Sequence, residues 1–163
     1  MTARAEALCL GLDGAGGAAA APISAARTLP HPPEAVFAFL ADLNRHWRLT
    51  DRYLRLEEVG ADGRTGRIAI RSPLGVHRIA RTEVTTIAAP ERFAGLAVVG
   101  RRTCARVVWQ VTPHADGAHV ELAATLLEAS PADRLLLAVG GRAWLRSRFE
   151  RVLSRLACEL RDA

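Results

Sequence analysis

Between residues 53 and 129 the sequence passes through six stretches in which apolar side chains return near every second position, and the breaks between them are short and rich in Gly, Pro or Asp. A period of two sends alternate side chains to opposite faces of a strand, and such breaks supply the turn chemistry of consecutive antiparallel connections. The predicted strands are 53–59, 66–72, 76–88, 92–99, 103–113 and 118–129. In the last of these Val120, Leu122, Ala124 and Leu126 share one face while His119, Glu121 and Thr125 share the other, as in a sheet with one wet side. Strand 76–88 allows two parities. One buries Val76, Ala80 and Val84 together with Arg78, the other Ile79 and Ile87 together with Arg81 and Glu83, and the first is expected. Six meander strands cannot hide an apolar face unless something is laid across it.

The cover follows directly. Ser130-Pro131-Ala132-Asp133 combines a serine N-cap, a proline in the first turn and an acid three residues beyond the cap. Leu145, Phe149, Val152, Leu153, Leu156 and Leu160 then recur at helical spacing, with Arg142, Arg146, Arg148, Arg151 and Arg155 on the remaining surface. Gly140-Gly141 interrupts this pattern at a cost of about 1 kcal/mol per glycine, so a bend or a close backbone approach is expected there.

Ahead of the meander, a strand at 23–28 ends at Pro30, Pro32 and Pro33, which cannot donate to a ladder. A short helix at 34–43 presents Val36, Phe37, Leu40 and Leu43, and a shorter turn at 44–49 carries His46 and Trp47. Residues 1–21 have too little side chain to anchor them and are expected to form a loose tail before a single domain at 22–161.

With 163 residues the chain suits one domain that buries about 70% of its unfolded surface. No apolar run approaches the roughly 20 residues of a membrane span. Cys9, Cys104 and Cys158 are odd in number and far apart, which points to a reducing, cytoplasmic setting. The apolar stretch 7–12 lies between Glu6 and Asp13 and is too short for an export signal. All 22 basic residues are arginine, and the net charge of +5 argues about solubility and general attraction to anions rather than specific nucleic-acid binding.

The segment Pro32-Pro33-Glu34-Ala35-Val36-Phe37-Ala38-Phe39-Leu40-Ala41-Asp42 after a strand, and the later Pro90-Glu91-Arg92-Phe93, resemble the START-like or SRPBCC superfamily of polyketide cyclases/dehydrases and lipid-transport proteins. The resemblance spans residues 22–160. It implies an α+β helix-grip fold, in which a curved antiparallel sheet of about seven strands wraps a long C-terminal helix, with two short helices after the first strand. It also implies a cavity between sheet and helix. Members include carriers, receptors and cyclases, so the fold leaves the activity open.

Site chemistry is sparse. None of the five histidines forms a helical i, i+4 pair around a glutamate, no Gly-x-Ser-x-Gly elbow occurs, and no glycine-rich loop joins a strand to a helix with a lysine. No metal and no cofactor are therefore expected. Trp47, Trp109 and Trp144 each offer a large apolar face and one N–H donor, suited either to core packing or to a ligand, and Phe149 lies one turn beyond Leu145. Trp47 is expected near an entrance, and Arg78 or Thr82 would select a ligand head. The favoured function is noncatalytic binding of a hydrophobic small molecule, a lipid, quinone, sterol or polyketide-like compound, as carrier or sensor. The alternative is a cyclase or dehydratase, in which a buried polar group moves a proton.

Overall fold

The computed structural model describes residues 21–71 and 75–162. The tail expected at 1–21 therefore lies outside the described residues except for Ala21. Seven strands form one antiparallel sheet: β1 (Ile23–Leu29), β2 (Leu54–Val59), β3 (Thr65–Arg71), β4 (His77–Ala88), β5 (Arg92–Val99), β6 (Thr103–His114) and β7 (Gly117–Glu128). Their spatial order is β1-β7-β6-β5-β4-β3-β2, a meander from β2 to β7 closed by β1 at one edge.

The chain crosses from the β1 edge to the β2 edge through α1 (Pro33–Ala41), α2 (Leu43–His46) and a 3-10 turn, Trp47–Leu49. Pro33 stands in the first turn of α1, where its missing N–H leaves no bond unmade, and Glu34 meets the positive helix end. Val36, Phe37, Phe39 and Leu40 are the buried face of α1. Asp42 then separates the two helices, accepting a hydrogen bond from the Asn44 N–H at 3.1 Å.

Ala80 and Val84 of β4 are 4% and 7% exposed whereas Ile87 is 42% exposed, so the parity that turns Arg78 inward holds. The register aligns Ala80 with Ile68 and Val99 in one inner row, and Trp109 with Phe93 and Leu122 in another, on the same face of the sheet. Pairing slips by one residue between Leu56 and Glu58, between Val84 and Thr86, and between Cys104 and Ala105. Each such bulge bends its strand and adds twist, which curls the sheet around the helix.

The Ser130 hydroxyl caps α3 (Pro131–Leu136) by accepting from the Asp133 N–H at 3.2 Å. A wide turn, Leu137–Gly141, joins α3 to α4 (Arg142–Arg161), so the long C-terminal helix is kinked. Gly140 has φ of 113°, a left-handed conformation that side-chain-bearing residues rarely adopt. A Cβ on Gly141 would stand 2.6 Å from the Leu136 carbonyl oxygen. The bend and the close approach expected at the glycine pair thus both occur.

Phe149, Val152, Leu153 and Leu156 of α4 are buried against the sheet. Arg148 departs from the sequence expectation of a solvent-facing arginine, being 6% exposed. Its guanidinium lies 3.5 Å from the Asp51 carboxylate and 4.6 Å from the centre of the Tyr53 ring, so charge and aromatic contacts hold it inside. No described helix is long and apolar enough to cross a membrane.

Candidate ligand cavity

Between the inner face of the sheet, the kinked turn and α4 lies a cavity of about 490 Å³. All six residues singled out in the sequence, Trp47, Arg78, Thr82, Trp109, Trp144 and Phe149, line it. Most of the wall between them is aliphatic, with Ile68 and Ile70 from β3, Ala97 and Val99 from β5, and Leu126 from β7. Volumes of roughly 300 to 1,000 Å³ with few polar groups are typical of small-molecule sites.

The two ends of the cavity differ in chemistry. A rise of about 3.3 Å per residue separates Arg78 from Val84 by roughly 20 Å along β4. At the Val84 end, His46 packs against Phe93, Trp47 and Trp109, with ring centres 5.0, 5.4 and 5.8 Å away. Burial holds the His46 imidazole down to about 4 from its ordinary 6.5, although its hydrogen bond to the Leu40 backbone works the other way. The ring is therefore neutral at physiological pH. Its Nδ1 and the Trp47 Nε1 are buried without a hydrogen-bond partner.

Trp47 owes its position to a glycine. A Cβ on Gly66 would come within 2.9 Å of Trp47 Cη2, so the ring lies directly over the β3 backbone. At 8% exposure Trp47 is a wall rather than the entrance residue expected from its place in the sequence. Val139, which lines the cavity and is 65% exposed, marks the rim instead, beside the kinked turn.

The Arg78 end is polar. Arg78 Nη1 lies 2.6 Å from Asp133 Oδ1. The other carboxylate oxygen accepts from the Thr103 hydroxyl and, at 2.7 Å, from the Ser130 hydroxyl. Burial pushes the Asp133 carboxyl upward, but the hydrogen bonds from Thr103 and Ser130 and the Arg78 guanidinium outweigh it and hold the group below its ordinary value. Asp133 and Thr103 were absent from the sequence-derived site. Asp133 was legible only as the acid of a capping box, but the Ser130 N–H donates to Thr103 Oγ1 at 3.1 Å instead of to the Asp133 carboxylate, and nothing local indicated that this carboxylate turns toward β4. Thr82 donates to the Gly66 carbonyl at 3.3 Å, so its hydroxyl is partly engaged.

The family described as polyketide cyclase/dehydrase and lipid transport matches residues 20–161. The chain belongs to this family. Solved structures share its fold. TTHA0849 from Thermus thermophilus superposes with a TM-score of 0.68 at 21% identity, covering 86% of this chain and 97% of its own. A protein from Rhodobacter sphaeroides gives 0.62 at 20% identity, over 91% of this chain and 97% of its own. DynU16, a protein of the dynemicin biosynthetic locus, gives 0.58 at 16% identity and covers 86% of this chain, which spans 47% of DynU16. No curated protein matches the chain. At these identities the neighbours speak for the fold alone, and the family spans both carriage and catalysis.

Proposed function

We propose that this chain binds a hydrophobic small molecule, a lipid, quinone, sterol or polyketide-like compound, in the cavity between sheet and kinked helix, and acts as a cytoplasmic carrier or sensor. The observation that carries this reading is a cavity of about 490 Å³ whose walls are aliphatic and aromatic over most of their area, with charged partners gathered at one end. Such a wall rewards removal of apolar surface from water at about 25 cal/mol per Å², with a few polar groups to fix orientation. Trp144 and Phe149 contribute from α4, and Trp47 and Trp109 from the opposite side.

A cyclase or dehydratase reading asks more of the same cavity, namely a group ready to move a proton. Asp133 is a poor base because its oxygens already accept from Arg78, Thr103 and Ser130. His46 is a weak one because burial favours its neutral form so strongly. Binding without turnover is therefore the better match.

Titration with fatty alcohols, sterols, quinones and aromatic polyketides, followed by tryptophan fluorescence, tests the reading. At least one saturable change is expected, and Trp144→Ala, which alters a half-buried side chain, should weaken it by about tenfold in protein that remains folded. Absence of binding across the panel would remove the proposal. Recovery of a chemically altered compound would replace carriage by catalysis.

A further inference from the structure

Arg78 brings positive charge to the cavity, yet that charge is already answered. Asp133 holds it at 2.6 Å, and Asp133 is the more deeply set partner, 7% exposed, while the Arg78 side chain keeps 30% of its surface. Thr103 and Ser130 fix the carboxylate from the far side, so it cannot swing away without breaking their bonds. Among the described residues that line the cavity, the remaining charged one is Glu83. It sits between Thr82 and Val84, which face inward, so strand alternation turns its carboxylate to the outer face. The electrostatic balance at the polar end is thus one cation and one anion, and Arg78, which lines the cavity, meets Asp133 through Nη1, one of its several N–H-bearing nitrogens.

We propose that this pair makes the cavity selective for uncharged apolar molecules carrying a hydrogen-bond-accepting oxygen, a ketone or a hydroxyl, over anionic molecules of the same body. This rests on the ligand-binding reading above and specifies its substrate class. An anionic head at Arg78 must either displace Asp133 or share the guanidinium with it. Displacement leaves a buried carboxylate without its ion pair, which is strongly unfavourable. Sharing sets two negative charges against one positive charge in a low-dielectric wall. A neutral oxygen does neither, because it accepts from a remaining N–H of Arg78 while Asp133 stays in place. Asp133, kept ionised by the same neighbours, maintains this discrimination throughout the neutral range.

Matched pairs test the idea on the intact chain: dodecanol against dodecanoate, and naphthol against naphthoate, each titrated at neutral pH by tryptophan fluorescence. The neutral member of a pair is expected to bind at least about tenfold more tightly. Greater hydrophobicity alone would also favour the neutral member, so Asp133→Asn supplies the decisive contrast. That substitution keeps the shape and removes the competing charge. Carboxylate affinity should rise about tenfold while the neutral member changes by less than about threefold.

Carboxylates that bind the unaltered chain as tightly as their partners would overturn the selection. A neutral preference that persists unchanged in folded Asp133→Asn would overturn the role given to the Arg78–Asp133 pair. If Asp133→Asn fails to fold, the pairs on the unaltered chain and on Thr103→Val, which loosens the carboxylate and should narrow the preference, decide instead. If no member of any pair binds, the ligand-binding reading falls and the selection falls with it.

Discussion

The two halves of the curled sheet share a strand pattern yet end in different states. On the β1, β7 and β6 side, Leu29, Val111 and Val120 meet Val36 and Leu40 of α1 and Leu153 and Leu156 of α4, and every one of these is at most 1% exposed. On the β3, β4 and β5 side the inner residues Ile68, Ile70, Ala97 and Val99 are only half-buried, because they face the cavity. Alternation assigns a face to each side chain in both halves but does not say whether anything fills the space opposite. The packed half holds the fold together, and the open half, with the β6 and β7 side chains that also line the cavity, is where a ligand would supply the missing contacts.

That contrast can be broken by mutation. Leu156→Ala in the packed half should cost about 3 to 4 kcal/mol, read as a lower urea midpoint, since a close-packed site cannot collapse around the missing atoms. A midpoint that does not move would mean that α4 is not the lid of the core.

His46 sits at the junction of the halves and links them to pH. Its folded value of about 4 lies below the ordinary 6.5, so between these values the unfolded chain takes up the proton and the folded chain does not. Stability is then complete above pH 6.5 and declines as pH falls toward 4, by about 3 kcal/mol in all. His46→Phe should flatten the dependence in this window, and an unchanged slope would assign it to other groups.

Thr103→Val at the polar end should cost about 1 to 2 kcal/mol by removing a buried hydrogen bond to Asp133. Because the folded Asp133 value is depressed, its contribution is present above its ordinary 3.8 and is lost as pH falls through the folded value. Losing the Thr103 bond should therefore move the acid limb of unfolding to higher pH, which separates an electrostatic role from simple packing. The smallest effect is expected in the open half. Ile68→Ala should lower stability by about 1 kcal/mol or less, since its side chain already borders empty space, yet it should alter ligand affinity. A loss equal to that of Leu156→Ala would show that the two halves are packed alike.

Much of this was legible in advance. The Ser130 cap, the parity of β4, the helical leucines and the turns each depend on residues only a few positions apart, and periods of two and 3.6 register such relations directly. The aromatic wall was legible because Trp109, Trp144 and Phe149 fall on elements whose inner faces the pattern already marked. Arg148 was misplaced because its inward turn depends on Asp51 and Tyr53, both distant in the chain. Trp47 was placed too near the entrance because its seat over Gly66 is a contact between a helical turn and a strand.

The sequence by itself determined the order of elements, the inner face of most strands and of the final helix, the start of that helix and the location of its kink, all consequences of local backbone chemistry, whereas it did not show that Phe39 is buried in the first helix. Tertiary structure alone decided that Arg78 meets Asp133, that Thr103 and Ser130 hold that carboxylate, and that the inner face leaves about 490 Å³ unfilled. Charge pairing acts over a few ångströms between residues that the chain keeps far apart, and an empty volume is a property of how surfaces meet. Neither leaves a periodic trace along the sequence.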